Sequence, residues 1–501
     1  MTTMQLWGEI FSAFSIQSVL WVFAGVAWGI FGGALPGVTA SLAMSLILPF
    51  TIALEPVQAF MLLAAVYVGA EYGGSIPAIL VGVPGTPANA PTALDGRQMH
   101  LNGHSGKALG YSLTGGCFGS FFGGILGVFL LGLLVKISLM LDASAFFALA
   151  LFGLSAVISM SKGNMAKGFI SIILGIMLDS IGADNFTGMP RFTMGMIQLG
   201  DGVSDVPAVV GFVAAAELFG QIIQQIQEKK LVSPMLGKLD YTFVTIKEFL
   251  ATIKTAIVSM IMGIVVGVMP GAGPTIASFI AYNEGRRISK DGDKFGTGVP
   301  DAIIAPEVAN NACVPAAVVP LLSFGIPGST SAAIMLGAMV MHGMRPGPLL
   351  AQNNPEALGA VFLGILLACP CLLIVGRLFL KPWVKVTAIP PHYLNTIILC
   401  LLVVGSLALN EGIFAVGILI VCSFLGYLMK LAGFNPVATV LGFVLAQLVE
   451  DNLRRAMRFP RALMTFGCTH YAGAAVAHRG VRIRADEGQK GETAGLMPQP
   501  D

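Results

Sequence analysis

The chain has 501 residues, of which 55% are hydrophobic and only 11% are charged, and its formal net charge is +2. Soluble domains carry about 25% charged residues, so this composition excludes a soluble globular protein and predicts an integral membrane protein. The small net charge, without a basic run interleaved with aromatics, excludes a nucleic acid partner. The seven cysteines are odd in number and lie mostly in apolar surroundings, which indicates buried hydrophobes and no disulfide framework.

Apolar runs that can cross about 30 Å of hydrocarbon recur along the chain. The 62 glycines and 28 prolines suit closely packed and interrupted helices, whereas a barrel would show short alternating strands. The first ten residues lack Lys and Arg, so we expect the first apolar run to remain as a membrane helix and not to act as a signal peptide. The predicted apolar segments are 15–33, 41–54, 57–72, 111–135, 144–160, 168–181, 206–226, 253–269, 275–282, 307–331, 358–379, 394–409, 413–429 and 437–449, and a polar stretch ending near Lys107 is predicted to be a loop.

Three motifs occur twice, in the same order. They place Pro36 opposite Pro270 (270 − 36 = 234), Pro84 opposite Pro327 (327 − 84 = 243) and Gly211 opposite Gly442 (442 − 211 = 231). Glycine- and proline-interrupted apolar segments at corresponding places of two halves are typical of the binding site of a secondary transporter. We predict a first transmembrane repeat at 1–230, a charged linker at 231–248, a second repeat at 249–453 and a polar, disordered tail at 454–501.

Basic residues are distributed oppositely in the two halves. The turn at Glu55 has no Lys or Arg, whereas its counterpart at 284–300 has four. Because cytoplasmic loops are enriched in Lys and Arg, this contrast predicts that the repeats are inverted. The fold class predicted is therefore an all-α polytopic membrane protein with two inverted repeats, whose discontinuous helices or re-entrant hairpins meet at the membrane midplane. Seven crossings in each half would place the arginines near residue 454 outside the cell, against the same rule. The sequence therefore leaves the number of membrane crossings open.

The duplicated Gly-Pro motifs predict breaks in membrane helices, and Pro315, Pro320 and Pro327 predict further interruptions within 307–331. A half-helix that begins at such a break points unpaired N–H groups and a positive dipole end at the gap, which favours an anion such as a carboxylate. A kinked helix without a ligand is the alternative for any single motif. The predicted substrate-binding residues are Pro36, Gly37, Thr39, Ser75, Gly85, Thr86, Asn89, Gly271, Asn310, Asn311, Gly328, Ser329 and Thr330.

Acidic residues inside apolar runs need a function, since each costs about 2.5 to 3.5 kcal/mol at a helix centre on insertion scales. Glu71 and Glu307 lie beside the breaks, and with Thr275 they are the candidates for coupling to Na⁺ or H⁺. The sequence lacks a phosphate-binding loop and the commonest hydrolase motifs, so direct use of ATP is not expected. His100 and His104 are spaced i, i+4 but lie in a polar stretch, so we predict neither a metal site nor a bound cofactor.

The sequence resembles the large membrane subunit of tripartite tricarboxylate transporters, the TctA family, between about residues 20 and 455. The resemblance rests on GALPGVTAS, YGGSIPAILVGVPGTPANAPTALDG, GVMPGAGPTIASFIAY, PEVANNA, LLSFGIPGSTSAAIMLGAMVMHGMRPGPLL and LVEDNLRRAM. Two departures from the family pattern are Ile76-Pro77 after YGGS and Cys313-Val314-Pro315 after ANNA. Both lie beside predicted breaks, so they bear on substrate choice.

The resemblance implies cation-driven import of a small carboxylate across a bacterial inner membrane. It also implies two partners, a periplasmic solute-binding protein and a small four-helix membrane subunit. A membrane-embedded enzyme and a carrier that works without partners are the alternatives.

Overall fold

The structure is a computed structural model that describes residues 3–35, 37–159, 164–184, 186–228, 240, 242–347, 349–386, 391–407 and 412–458. In the N-terminal half the α-helices are α1 (Thr3–Ser12), α2 (Ile16–Ala34), α3 (Ala40–Ile47), α4 (Pro56–Gly73), α5 (Ser75–Leu80), α6 (Ala90–Leu101), α7 (Ser105–Ser138), α8 (Ala143–Ser159), α9 (Met165–Asp179), α10 (Asp205–Val210) and α11 (Ala216–Glu228). In the C-terminal half they are α12 (Ile246–Ala251), α13 (Ile253–Val268), α14 (Gly273–Ile288), α15 (Pro300–Phe324), α16 (Thr330–Met341), α17 (Leu350–Asn353), α18 (Pro355–Leu378), α19 (Leu380–Val386), α20 (Pro391–Leu407), α21 (Ile413–Leu431) and α22 (Pro436–Arg458).

Irregular elements connect these helices. Single 3₁₀ turns occur at Leu48–Ala53, Pro87–Asn89, Ile197–Leu199 and Gly292–Lys294, and a π-helical turn at Gly211–Ala215 joins α10 to α11. The strands β1 (Gly182–Ala183) and β2 (Pro190–Arg191) form a small antiparallel hairpin between α9 and α10.

Eight segments of the described chain are long and apolar enough to cross a membrane. They are Ile16–Ala34, Pro56–Leu80, Ser105–Ser138, Asp205–Ile223, Pro300–Phe324, Pro355–Leu378, Ile413–Leu431 and Pro436–Arg458. Several shorter apolar helices lie between them, including α13 and α16. The prediction of an all-α polytopic membrane protein is confirmed.

By density of contacts the chain divides into a larger unit, Met1–Met140 with Ala150–Gln447, and a smaller one, Leu141–Leu149 with Leu448–Asp501. Most of the predicted 231–248 linker lies outside the described residues, although its last residues enter α12 through a capping box at Thr245. Helix α22 runs through Arg458, and the remainder of the predicted tail lies outside the described residues. The candidate site lies wholly within the larger unit.

Two long helices, α4 and α15, form the core of the larger unit, and both are buried along almost their whole length. Helix α2 packs on α4, and helix α13 packs on α15. In α2, Gly29 lies against the carbonyl of Val66, and in α13 the equivalent Gly263 lies against the carbonyl of Ala309. The two glycines are 263 − 29 = 234 residues apart, and the two residues whose carbonyls they contact are 309 − 66 = 243 apart. These are the offsets at which the sequence motifs recur. The two halves therefore repeat the same close backbone packing.

Helix α15 differs from the prediction, because Pro315 and Pro320 lie inside a continuous helix. The chain breaks only after Phe324, where Gly325 takes a left-handed conformation. The proline ring of Pro315 packs over Gly123 and Gly127 of α7, where small residues leave room for the distortion that proline causes. The prediction of interruptions at Pro315 and Pro320 was therefore wrong.

The predicted loop that ends near Lys107 is also largely helical, since α6 covers Ala90–Leu101. Its polar side chains made it look like a loop, yet Thr92, Asp95 and His100 are buried and bonded. Asp95 is fully buried and accepts hydrogen bonds from the backbone N–H groups of Gly296, Gly298 and Val299 and from the Tyr282 hydroxyl. It thereby holds α6 against the segment that leads into α15.

Basic residues meet at one end of the larger unit. Lys107 at the start of α7 pairs with Glu248 of α12 at 2.7 Å, and this contact and the Thr245 cap lower the pKa of the Glu248 carboxyl to about 2. Lys254 at the start of α13 donates to the carbonyl of Ile288 at the end of α14. Arg377 near the end of α18 lies over the ring of Phe243. The starts of α7 and α13 and the ends of α14 and α18 thus lie at the same end.

The close packing predicts the effect of added methyl groups. Gly29→Ala and Gly263→Ala should each lower stability by about 1 to 3 kcal/mol, since a Cβ at either position overlaps a carbonyl of the facing helix. The measurement is the thermal unfolding midpoint of the protein purified in detergent. Gly337→Ala in α16 is the matched control, because a Cβ there meets no atom within 4 Å. Equal midpoints for all three variants would contradict this packing.

Candidate functional site

Two turns with the same backbone geometry follow the buried helices. Gly82 and Gly325 have φ angles of 81° and 78°, which L residues rarely adopt. Three residues further on, the N–H of Gly85 donates to the carbonyl of Gly74 at 3.0 Å, and the N–H of Gly328 donates to the carbonyl of Ala317 at 3.1 Å. We call residues 82–87 the first turn and residues 325–330 the second turn.

Each turn packs on the end of a neighbouring helix. A Cβ added at Gly85 would overlap the carbonyl of Gly33 at the end of α2, and one added at Gly328 would overlap the carbonyl of Gly267 at the end of α13. These positions therefore require glycine. Shortly after α2 and α13 end, the chain passes through Gly37 and Gly271, whose φ angles are 84° and 76°. Pro36, which precedes Gly37, lies outside the described residues.

Two hydroxyl side chains begin short helices beside these turns. Thr39 Oγ1 accepts from the N–H of Leu42 at the start of α3, and Ser329 Oγ accepts from the N–H of Ala332 at the start of α16. Thr330 is the first residue of α16, and Thr275 is the third residue of α14. Thr39 and Ser329 thereby satisfy one backbone N–H group each at a helix start, where N–H groups have no partner within the helix.

The turns meet elements from the opposite half of the chain. The hydroxyl of Tyr67 in α4 and the hydroxyl of Ser329 are hydrogen-bonded at 2.8 Å. Helix α14 contacts the 3₁₀ turn Pro87–Asn89, and α16 contacts α3. Predicted residues from both halves therefore come together in the interior.

Glu307 of α15 is fully buried and receives three hydrogen bonds. Its Oε1 accepts from Asn89 Nδ2 at 3.0 Å and from Thr92 Oγ1 at 2.5 Å, and its Oε2 accepts from Ser112 Oγ at 3.0 Å. Ser112 has a single hydroxyl hydrogen, which is shared between Glu307 Oε2 and Ser75 Oγ, 2.6 Å away, so Asn89 and Thr92 are the two dedicated donors to Glu307. Glu307 thus joins α15 to α6 and α7 and places a carboxyl group near the first turn.

Asn89 connects Glu307 to the first turn. Its Nδ2 also donates to the backbone carbonyl of Glu71 at 3.2 Å, and its Oδ1 accepts from Thr86 Oγ1 at 2.6 Å. Ser75 Oγ donates to the carbonyl of Tyr72 and accepts from Ser112 at 2.6 Å. The polar residues predicted in the first half therefore form one buried network.

Glu71 and Asn310 differ from the rest of this network. The Glu71 carboxyl lies beside the side chains of Asn310 and Thr86, and Asn310 Nδ2 reaches the Glu71 carbonyl at 3.4 Å. Glu71 is 4% exposed and Asn310 is 0% exposed. Glu71 Oε2 and Asn310 Oδ1 have no hydrogen-bond partner within the described part of the chain. Two acceptor oxygens thus remain unpaired in the protein interior.

Asn311 and His100 have local partners. Asn311 Nδ2 donates to the carbonyl of Glu307, and its Oδ1 accepts from Ser120 of α7 at 3.3 Å. These are contacts between packed helices. His100 Nδ1 is bonded to Ser105 Oγ at 2.7 Å. Among the described residues no group of three or more His, Cys, Asp or Glu side chains is arranged to hold a metal ion.

Sequence reasoning missed four residues of this region: Tyr67, Thr92, Ser112 and Asp95. Tyr67 lies four residues before Glu71 and Thr92 three residues after Asn89, which puts each on the same helical side as a predicted residue. That spacing was a usable signal. Ser112 and Asp95 gave none, because their partners lie far away in the sequence.

Comparison with known proteins gives the same family as the motifs. The profile described as "Tripartite tricarboxylate transporter TctA family" matches residues 19–441. The chain belongs to the TctA family. One relative, described as an uncharacterized 52.8 kDa protein in the TAR-I ttuC' 3' region of Agrobacterium vitis, is 33% identical over 458 residues, covering 90% of this chain and 89% of its own.

A second relative, from the TAR-II ttuC' 3' region of the same organism, is 33% identical over 219 residues, covering 44% of this chain and 90% of its own. No solved structure matches significantly. As a TctA protein the chain is a multi-pass membrane component of a transporter family. The turns and the buried polar network lie within the matched region, so they are part of the shared domain.

The hydrogen bonds of Glu307 predict a structural effect. Glu307→Gln should lower stability by about 1 to 3 kcal/mol, because an amide nitrogen replaces an oxygen that accepts a buried hydrogen bond. The thermal unfolding midpoint in detergent tests this. Glu55→Gln, an exposed acid before α4, is the control. A midpoint that falls equally in both variants would show that the three donors do not stabilise the fold.

Proposed function

We propose that this TctA protein is the large transmembrane subunit of a secondary transporter that imports tricarboxylates or related small carboxylates by using a cation gradient. The observation that carries the proposal is the pair of equivalent turns, which, with the helix starts and hydroxyls beside them, bring polar groups from both halves into one buried region. Helix starts and hydroxyls bind carboxylates, and buried acids bind cations. The proposed partners are a periplasmic solute-binding protein and a small four-helix membrane subunit, and the description of the family as tripartite supports two further components.

The two halves form an inverted repeat in this proposal. Helix α1 lies near the end of α7 and the start of α18, because Gly132 is packed against Thr3 and Gly359 against Glu9. Helix α2 follows α1 and so starts at the end opposite the basic cluster. Its equivalent, α13, starts at Lys254 within that cluster. Equivalent helices that start at opposite ends support inversion about an axis in the membrane plane.

The basic end faces the cytoplasm in this arrangement. It carries Lys107, Lys254 and Arg377, together with the four basic residues of 284–300. The turn at Glu55, which begins α4, has none. The positive-inside rule then places the starts of α2 and α4 on the outer side of a bacterial inner membrane.

The proposed substrate site takes its backbone from Gly37, Gly85, Gly271 and Gly328 and its polar groups from the hydroxyls and amides beside the turns. The coupling ion is Na⁺ or H⁺, with Glu71, Glu307 and Thr275 as the candidate coupling residues. Asn311 stays among the proposed substrate-binding residues, although its amide also bonds Glu307 and Ser120. Pro36 is included because its motif is repeated at Pro270.

Reconstitution into proteoliposomes tests this function. Uptake of a radiolabelled tricarboxylate such as citrate should require the binding protein, the small subunit and an inward cation gradient. Uptake without partners would support a stand-alone carrier. Conversion of the substrate without its accumulation would support a membrane-embedded enzyme.

Two substitutions test the location of the site. Thr86→Ala and Asn310→Ala should lower the initial uptake rate at least tenfold, because each removes a buried polar group beside the first turn. Uptake is measured in the complete reconstituted system, and folding is checked by elution from a sizing column and by the unfolding midpoint.

The matched controls are Thr114→Ala and Asn102→Ala. Among the described residues, Thr114 Oγ1 bonds only the backbone of its own helix, α7, and Asn102 is exposed. Both should transport like the unsubstituted protein. Normal uptake by both Thr86→Ala and Asn310→Ala would show that the site lies elsewhere.

A further inference from the structure

The two turns share a backbone but have different chemical surroundings. At the offset of 243, Glu71 corresponds to Val314 (71 + 243 = 314), Ala64 to Glu307 (64 + 243 = 307) and Tyr67 to Asn310 (67 + 243 = 310). Glu71 and Glu307 therefore have no acidic equivalents, and both lie near the first turn, Glu71 beside Thr86 and Glu307 bonded to Asn89. At the second turn the neighbour of Ser329 is the Tyr67 hydroxyl, which is uncharged.

The first turn presents oxygens that can only accept. Thr86 donates its hydroxyl hydrogen to Asn89 Oδ1, so the lone pairs of Thr86 Oγ1 remain for another group. Glu71 Oε2 and Asn310 Oδ1 have no donor within the described chain, and both side chains are more than nine-tenths buried. Leaving such oxygens unpaired costs several kcal/mol when one belongs to an ionised carboxylate. A bound positive charge between them removes that cost.

A substrate carboxylate is a poor ligand for the same place. The charged and titratable groups that face Glu71 are Glu307 and Cys313 from α15 and Tyr67 from α4, and none of them is basic. Within the described residues no Lys or Arg forms an ion pair with Glu71 or Glu307. An anion at the first turn would therefore be repelled by two acids without a compensating cation.

We propose that the first turn is the cation site of the transporter, and that one monovalent cation is held there by Glu71 Oε2, Asn310 Oδ1 and Thr86 Oγ1. This inference rests on the proposed function and divides its site in two. The carboxylate then binds beside the second turn, where Ser329 is bonded to the uncharged Tyr67 hydroxyl. Glu307, whose oxygens are already bonded, supplies negative charge to the site without binding the cation.

The bound cation is a sodium ion or a proton, since both can be shared by these oxygens. A sodium ion takes several oxygen ligands, while a proton on Glu71 Oε2 donates one hydrogen bond to Asn310 Oδ1. A sodium ion and a proton are distinguished by how the uptake rate depends on Na⁺ concentration and on pH. Both dependences are therefore measured, each with the other held constant.

The experiment uses the complete reconstituted transporter and measures the initial rate of citrate uptake against Na⁺ concentration at fixed pH, and against pH at fixed Na⁺. Glu71→Gln should lower the rate at least tenfold and remove its dependence on the coupling cation. Thr86→Val should raise the half-saturating Na⁺ concentration about tenfold if sodium is bound, or move the pH midpoint if a proton is bound. Thr86→Ser, which keeps the hydroxyl, should shift the half-saturating Na⁺ concentration or the pH midpoint much less than Thr86→Val does.

Ser329→Ala is the control at the second turn. It should raise the half-saturating citrate concentration and leave the dependence on Na⁺ and pH unchanged. If Glu71→Gln does not fold, the comparison of Thr86→Val with Thr86→Ser decides the question. Unchanged cation dependence in Thr86→Val, or a shift in Ser329→Ala instead, would overturn the division of the site. Failure of the unsubstituted system to take up citrate would instead contradict the proposed function.

Discussion

The structure depends on one constraint, which is that backbone polar groups inside a membrane must find partners within the protein. A helix that stops in the interior exposes N–H and C=O groups, and this chain satisfies them at two equivalent turns. Gly85 and Gly328 donate to carbonyls of the preceding helix and pack against the carbonyl ends of α2 and α13. Only glycine permits both contacts, because a Cβ would overlap the neighbouring backbone.

Because the backbone arrangement is duplicated, functional differences between the halves must come from side chains. The acids provide that difference. Glu71 and Glu307 lie on the two helices that form the core, but their equivalents, Val314 and Ala64, are apolar. A duplicated scaffold with unequal polar groups can offer two chemically different sites within one buried region. This is what transport of an anion together with a cation requires.

The repeat explains how much could be predicted from the sequence. The Gly-Pro motifs mark both turns, and the apolar runs mark almost every helix, since each depends on local composition. The continuity of α15 through Pro315 could not be predicted in the same way, because it depends on the small residues of α7 that face the proline ring. The helical state of α6 and the role of Asp95 depend on backbone donors about 200 residues away.

Residues at the site show the same limit. Glu71, Glu307 and Asn310 stand out because polar groups are costly in apolar runs, but the sequence does not say which are already paired. The two adjacent asparagines differ in the structure. The nitrogen and the oxygen of the Asn311 amide are both hydrogen-bonded, whereas Asn310 Oδ1 has no partner among the described residues. Pairing is a property of the packed helices, so it appears only in three dimensions.

One face of α4 connects the two turns and, in the proposed function, would supply a physical route between cation and carboxylate. Tyr67 and Glu71 are one helical turn apart, so they lie on the same side of the helix. Tyr67 bonds Ser329 at the second turn, while Glu71 lies beside Asn310 and Thr86 at the first. A cation at Glu71 would neutralise the acid nearest to the second turn and so weaken its repulsion of an incoming carboxylate. Charge compensation across a single helical turn would make binding of the anion depend on the cation, which is the requirement for coupled uptake.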